Sequence, residues 1–184
     1  MATEFKPVRT EAQQETLAKL AEEIWLEYWP ALIGEDQARY MIDRFQSLDA
    51  IRRDMAAPHH AYEYWLVVDP DLDPAPTDER PWGSVVGYTG GYSEPETNRF
   101  FISKIYLLDS ARGRGHARKT IEHYDELSRQ RGHGAMYLTV NKGNVLGIRA
   151  YEGTGFKTIE AVVNDIGRGF VMDDYVMERP VETR

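Results

Sequence analysis

A glycine-rich loop between a strand and a helix is the feature that most limits how this chain can fold. The loop covers residues 110–117, with the sequence SARGRGHA. Apolar residues of strand type precede it, and after it Ile121, Tyr124 and Leu127 recur on one face of a helix. A helix that begins directly after a loop offers unpaired backbone N–H groups and the positive end of its dipole. The segment therefore predicts a site for an anion such as a pyrophosphate.

Two familiar phosphate-binding loops are excluded by the residues at and after position 118. A dinucleotide fingerprint needs a third glycine where the chain has Arg118. A P-loop needs glycine before its Lys-Ser/Thr pair, and Arg118 precedes Lys119 and Thr120 here. A tight turn without a ligand remains the alternative, because Gly-x-Gly also precedes helices in that role.

Composition narrows the class of protein. The 184 residues suffice for one domain, 1–184, and the chain has no cysteine, which excludes disulfides, thiolate metal sites and a cysteine nucleophile. The net charge of −8 disfavours a broad nucleic-acid footprint. No apolar run approaches the roughly 20 residues of a membrane span, and the first residues do not resemble a signal peptide. We therefore expect a cytoplasmic protein that binds neither nucleic acid nor a membrane.

Hydrophobic periodicity predicts an α/β chain. Thr10 and Gln13 form a capping box at the start of a first helix that ends at Pro30. Two more helical patterns follow, one through residues 38–45 and one from Ser47, and Pro58 ends the helical region. A half-buried strand is predicted at residues 62–68, followed by an extended loop at 69–81 and strands at 83–92 and 99–108. After the glycine loop come its helix, a strand at 136–140, a short helix through residues 148–151, and strands at 156–164 and 170–179. This order indicates a mixed, mostly antiparallel sheet with flanking helices and a ligand crevice at the strand ends beside the helix N-terminus.

Two motifs together resemble the GCN5-related N-acetyltransferase (GNAT) superfamily. The first is a strand followed by a loop of the type Arg-Gly-x-Gly-x-Ala, matched by Ile105, Tyr106, Leu107, Arg112, Gly113, Arg114, Gly115, His116 and Ala117. The second is an Asn, a small residue with Ile, a Tyr and a Gly-Phe pair, matched by Asn144, Gly147, Ile148, Tyr151, Gly155 and Phe156. One departure is Ser110, where many members carry a longer polar residue. The resemblance is good over residues 100–156 and extends from 62 to the end.

The resemblance implies a fold, a cosubstrate and a division of the domain. Residues 1–60 correspond to a helical region that varies with substrate, and 61–184 to the twisted sheet with a central βαβ cofactor cradle. Acetyl-coenzyme A (acetyl-CoA) is the implied donor, with the backbone of residues 112–117 on its pyrophosphate. The strand edge formed by residues 105–107 is implied to contact the pantetheine arm, and an N–H near Leu107 to stabilise the oxyanion. No metal is implied, and a homodimer is expected because members often pair through their last strands.

The reaction needs an acid and a base. An alkyl amine has a pKa of about 10 and must lose a proton before it attacks, while the departing thiolate must gain one. Tyr151 is the candidate general acid; packing of its ring on the sheet is the alternative. Asn144 either binds the pantetheine amides or caps the helix that begins at Val145, and both roles are compatible. His116 is expected to contribute its backbone.

The sequence does not single out the base. It offers Glu94, Glu96, His59, His60 and Asp174, and a bound water often serves in the superfamily. Asp173 and Asp174 stand in a segment similar to the final strand of diamine and polyamine acetyltransferases and should point to opposite faces. One of them, with acids from Glu22, Glu23 or Glu27, would attract a cationic amine; a solvated polar face is the alternative. The aromatic residues Trp25, Tyr28 and Trp29 are interpreted as core; lining of an acceptor pocket is the alternative.

These observations predict an acyltransferase, an N-acetyltransferase that moves acetyl from acetyl-CoA to a primary amine by direct attack. A small polyamine or diamine is the leading acceptor, ahead of an amino-acid-like metabolite, an aminoglycoside or a protein amine. The alternative is a coenzyme A-sensing or interaction module without turnover. Acetylation of charged transfer RNA is disfavoured by the acidic balance.

Overall fold

The computed structural model describes residues 2–78 and 81–182. The chain forms two compact units, one of Met1–Gly91 with Lys104–Thr120, the other of Tyr92–Ser103 with Ile121–Arg184. The assignment of the whole chain to a single domain stays a prediction.

The first helix begins where the capping box predicts. Helix α1 spans Glu11–Tyr28, with the Gln13 amide donating to Thr10 Oγ1 (3.3 Å) and the Thr10 amide donating to Gln13 Oε1 (2.9 Å). Its buried stripe has helical spacing and consists of Leu17, Leu20, Ala21, Ile24 and Trp25. Pro30 ends this run and starts the short helix α2, Pro30–Ile33.

The next two helical patterns form as predicted, with an irregular junction between them. Helix α3 spans Glu35–Met41, a π-helical turn covers Ile42–Gln46, and helix α4 spans Leu48–Met55. Ser47 caps α4 by accepting a hydrogen bond from the Ala50 amide (3.3 Å). The helix ends before Pro58, and the π-helical turn has no counterpart in the prediction because five residues are too few to show a changed period.

The strands of the first unit include one that the sequence did not predict. Strand β1 is Glu4–Pro7, and it pairs antiparallel with β2, Glu63–Val68. The expectation that β2 is half-buried was wrong: residues 64–68 are all buried. The reason is that one face, with Tyr64 and Leu66, packs on the α1 core, while Val67 on the other packs with Val86 and Ala111.

The remaining five strands and the last two helices follow the predicted order. They are β3 Val85–Glu94, β4 Arg99–Leu107, α5 His116–Arg131, β5 Ala135–Asn141, α6 Val145–Glu152, β6 Lys157–Gly167 and β7 Phe170–Pro180. The sheet order is β1-β2-β3-β4-β5-β7-β6, with β4 and β5 parallel. The predicted mixed, mostly antiparallel α/β sheet is confirmed, although the chain opens with a strand rather than a helix.

The predicted loop 69–81 lies between β2 and β3, and its residues 79 and 80 are outside the described residues. Its base is closed by a hydrogen bond from the Asp69 amide to the Ser84 carbonyl (2.9 Å). Gly83 has φ +58°, and a Cβ there would lie 2.2 Å from the Pro74 carbonyl oxygen. Only glycine fits this approach, which keeps the loop folded back on itself.

Candidate active site

The glycine loop has the open backbone that an anion site requires. A 3₁₀ turn, Asp109–Ala111, leads into it, and α5 begins at His116. Gly113 and Gly115 have φ of +74° and +89°, and a Cβ at either position would meet no atom within 4 Å. Within the part of the chain that the structure describes, the amides of Gly113, Gly115 and Ala117 donate no backbone hydrogen bond. The glycines therefore serve the backbone conformation, and these donors at a helix N-terminus fit a pyrophosphate.

The entrance to this loop is held by the end of α1. Glu27 Oε2 accepts a hydrogen bond from the Asp109 amide (3.1 Å), and the Arg112 guanidinium lies 3.0 Å from Asp109 Oδ1. The same guanidinium stacks over the Tyr28 ring, 4.4 Å from its centroid. Arg112 is thus a structural cation of the loop, and Glu27 has a structural partner instead of facing an amine freely.

His116 was expected to contribute its backbone, and the structure shows that its side chain is buried. Its Nδ1 lies 3.0 Å from Thr3 Oγ1, and its Nε2 lies 3.5 Å from Oδ2 of Asp69, whose side chain is fully buried. Arg114 Nη1 lies 3.9 Å from the same oxygen. Sequence reasoning missed Asp69 and Thr3, since nothing local marks residues that meet only across the fold.

The strand before the loop leaves its parallel partner early. The ladder between β4 and β5 runs from Arg99 opposite Ala135 to Ile102 opposite Leu138, and β4 then continues to Leu107 outside it. This places the predicted pantetheine-binding residues Ile105, Tyr106 and Leu107 beyond the ladder.

The Tyr106 side chain belongs to an aromatic cluster. Its ring centroid lies 5.4 Å from that of Trp25, 6.4 Å from Trp29 and 5.3 Å from Tyr88. Trp25 and Trp29 are 1% and 9% exposed, so their interpretation as core is confirmed, whereas Tyr28 is only partly buried. On the neighbouring strand, a Cβ at Gly87 would lie 2.3 Å from the Tyr106 carbonyl oxygen. Only glycine at position 87 permits this close approach of the Tyr106 backbone.

The second motif forms the start and end of α6 in the other unit. Asn144 caps the helix, its Oδ1 accepting from the Gly147 amide (3.0 Å), so the capping role is confirmed. The Tyr151 ring packs edge-on against Phe156 with centroids 6.1 Å apart and is half-buried. Its packing role is therefore present, and its role as an acid stays a prediction.

A comparison with known families places these motifs. Residues 17–156 match the model of the acetyltransferase (GNAT) family. The chain belongs to the GNAT acetyltransferase family. It is accordingly an acyltransferase, as the sequence predicted. No curated protein sequence matches it significantly.

Solved GNAT structures share the fold at low sequence identity. The PaiA N-acetyltransferase of Thermoplasma acidophilum, in complex with coenzyme A, has a TM-score of 0.74 at 15% identity, with 98% of this chain and 99% of that one covered. The ribosomal-protein-S18-alanine N-acetyltransferase of Escherichia coli has a TM-score of 0.67 at 13% identity, with 100% of this chain and 96% of that one covered. The spermidine N-acetyltransferase of Vibrio cholerae, in complex with coenzyme A and spermine, has a TM-score of 0.67 at 15% identity, with 97% of this chain and 95% of that one covered. These similarities confirm the predicted GNAT fold.

Two carboxylates among the predicted bases of this GNAT domain differ sharply. Glu94 accepts hydrogen bonds from the Tyr137 hydroxyl (2.8 Å) and from Thr97 and Arg99. Burial raises the pKa of Glu94, but these hydrogen bonds and the charge of Arg99 outweigh burial and leave the pKa below its ordinary value. Glu94 is held as a structural anion.

Asp174 is in the opposite situation. It is 6% exposed, and burial, with a contribution from Asp173 and against that of Lys142, raises the pKa of Asp174 to about 6. Asp173 is exposed and forms an ion pair with Lys142. The two carboxylates therefore differ in burial, as expected for adjacent residues that point to opposite faces of a strand.

The other polar candidates either are exposed to solvent or have structural roles. Glu96 and His59 are exposed, and His60 has a φ of +55° in a turn. Glu23 accepts a hydrogen bond from the Trp82 indole (2.7 Å). Glu22 lines a surface cavity of about 380 Å³ together with Lys19, Arg39 and Asp43. Among the described residues, no cluster of His, Asp and Glu is able to hold a metal ion, and no helix is long and apolar enough to cross a membrane.

Proposed function

We propose that this GNAT domain transfers the acetyl group of acetyl-CoA to a primary amine by direct attack, without a covalent enzyme intermediate. The observation that carries the proposal is the backbone of residues 112–117. Two glycines in the left-handed region leave amides exposed at the start of a sixteen-residue helix. The pyrophosphate of coenzyme A is the anion that such a turn suits.

The cosubstrate, when bound, supplies an activated acetyl thioester. In this proposal the loop backbone binds the pyrophosphate, and the backbone of residues 105–107 binds the pantetheine arm. The amide near Leu107 stabilises the negative charge on the carbonyl oxygen as the amine attacks. The early end of the β4–β5 ladder at Ile102 supports this role. Asn144 binds a pantetheine amide through its side-chain nitrogen, while its oxygen caps α6.

Two side chains of the second unit are proposed to move protons. The Tyr151 hydroxyl donates a proton to the departing thiolate, since a phenol with a pKa of about 10 is a competent donor. Asp174 receives the proton of the attacking ammonium, directly or through water. We favour Asp174 over the other four candidates because it is buried and the pKa of its carboxyl, raised to about 6, suits a base at neutral pH.

The proposed acceptor class is a small diamine or polyamine. Support comes from the net charge of −8, which favours approach of a cation, and from the similar fold of a spermidine N-acetyltransferase. An amino-acid-like amine, an aminoglycoside or a protein N-terminus ranks behind it.

A cytoplasmic location and a homodimer also remain proposals. The dimer would form through the last strands, and β6, at the end of the sheet order, exposes Ile159 and Val163 by 53% and 64%. Sedimentation equilibrium of the wild type and of a V163E variant tests it. A wild type that sediments as a monomer contradicts the dimer.

The enzymatic proposal is tested by thiol release from acetyl-CoA in the presence of single amines, alongside calorimetric titration of the wild type with coenzyme A. The panel contains spermidine, a diamine, amino acids, an aminoglycoside and a peptide. Turnover with the polyamine and diamine supports the proposal. Tight binding without turnover supports a coenzyme A sensor instead, and absence of binding contradicts the loop assignment.

A further inference from the structure

A buried carboxylate lies beneath the glycine loop and lacks a full set of partners. Asp69 follows β2 directly and is 0% exposed. Its Oδ1 accepts a hydrogen bond from the Asp71 amide (3.1 Å). Its Oδ2 has no hydrogen bond among the described residues and lies near the Arg114 guanidinium (3.9 Å) and His116 Nε2 (3.5 Å). A buried carboxylate oxygen without a hydrogen bond is costly, so its presence in the fold calls for an explanation.

The residues beside Asp69 flank Gly115, one of the two glycines that shape the loop. Arg114 precedes Gly115, and His116 is the first residue of α5. The His116 ring is buried between Asp69 and Thr3, whose Oγ1 lies 3.0 Å from Nδ1. The His116 carbonyl accepts from Thr120 Oγ1 (2.9 Å). The start of the helix is therefore held from the strand side as well as from within the helix.

We propose that Asp69 is a positioning residue for coenzyme binding. Asp69 holds Arg114 and His116 on either side of Gly115. It thereby keeps the loop amides in the conformation that binds pyrophosphate, even before the ligand is bound. The benefit is preorganisation: the loop does not have to be ordered at the moment of binding. The inference rests on the proposed function, because it assumes that this loop takes the pyrophosphate of coenzyme A.

Asp69 has two opposite effects on the affinity for coenzyme A, so the direction of the change in a variant tests the proposal. A negative charge beside an anion site weakens binding, so removal of that charge alone would tighten binding of coenzyme A. Loss of positioning would weaken it. Because Arg114 lies next to the carboxylate and offsets its charge, we expect the loss of positioning to dominate.

The test compares Asp69→Asn with Asp71→Asn, a matched charge removal at an exposed position of the same loop. For D69N we expect the KM for acetyl-CoA to rise about tenfold, as for loss of one charge-assisted contact, with kcat within twofold of the wild type. D71N should match the wild type. With acetyl-pantetheine, which has no pyrophosphate, D69N and the wild type should have equal kcat/KM.

Other results would overturn the inference. An equal loss with both donors assigns Asp69 a general structural role, and an unchanged or lower KM in D69N shows that positioning does not dominate. If acetyl-pantetheine turns over too slowly, inorganic pyrophosphate is used as a competitor, and its inhibition constant should rise about tenfold in D69N only.

Folding and the proposed function are controlled separately. Thermal melting checks that D69N is folded; if it is not, Thr3→Val, which removes the hydroxyl beside His116, should raise the KM for acetyl-CoA in the same direction. An unchanged KM in T3V then contradicts the inference. Failure of the wild type to bind coenzyme A by calorimetry would instead overturn the proposed function.

Discussion

Replacement of Asp174 by Asn should make the stability of the protein depend less on pH. Asp174 lies on β7, opposite Asn141 of β5 and Val162 of β6. Burial raises the pKa of its carboxyl from 3.8 to about 6. Between these values the folded state binds more protons than the unfolded state, so wild-type stability falls as pH rises through this interval and the loss is complete above pH 6.

The size of the effect follows from the two pKa values. A difference of about 2 in pKa corresponds to ~3 kcal/mol, and access of water to the carboxylate lowers this to about 1–2 kcal/mol. Asn does not titrate, but burial of its amide lowers the unfolding free energy by about 1 kcal/mol at every pH. The change in unfolding free energy caused by D174N should therefore be about 1–2 kcal/mol more favourable at pH 8 than at pH 4.

Urea unfolding at pH 4 and pH 8 measures this difference on either side of the isoelectric point near 5.2. Glu160→Gln is the matched control, because it removes an exposed carboxylate from the neighbouring strand β6 and should behave alike at both pH values. A D174N effect that is equal at the two pH values, or less favourable at pH 8, would refute the reasoning. If Asp174 is also the base, kcat should fall at pH 8 while the protein stays folded.

Three further substitutions test separate parts of the structure. Tyr151→Phe should lower kcat about 100-fold with the KM for acetyl-CoA unchanged, because only proton donation to the thiolate is lost; an unchanged kcat in single-turnover thiol release contradicts the role. Gly115→Ala forces a residue with a side chain into a φ of +89° at a cost of about 1–2 kcal/mol, and it should raise the KM for acetyl-CoA. The control Gly34→Ala, at φ +84° and equally free of clashes, should reduce thermal stability alone. Thr10→Ala removes the capping box and should cost about 1 kcal/mol, or roughly 2–4 °C in melting temperature, without a change in kcat, as measured by thermal unfolding and thiol release.

The features that were predictable depend on short stretches of chain. The capping box of Thr10 and Gln13 joins residues within one helical turn, and the stripe of α1 follows from a period of 3.6 residues. Gly113 and Gly115 were identifiable for the same reason, since a positive φ is a property of a single residue. The two motifs that carry the GNAT resemblance are likewise short stretches of chain, so they can be recognised in the sequence itself.

The features that escaped prediction are made by contacts between distant segments. Strand β1 is only four residues long and is defined by its pairing with β2. The contact between Thr3 and His116 spans 113 positions, and that between Glu27 and Asp109 spans 82. Lys104 is a further example: its ammonium donates to the Phe45 carbonyl (3.0 Å), and burial lowers its pKa to about 8.

Local sequence was sufficient to predict most of the helices and strands and the turn of the glycine loop, because propensity, periodicity and glycine conformation act over a few residues. Which polar groups are buried depends on how distant segments pack together. Burial is what separates the structural anion Glu94 from Asp174, with its raised pKa, although both are acidic residues in strands. The energy of a charge depends on the atoms that surround it, and for these two residues those atoms come partly from segments far apart along the chain.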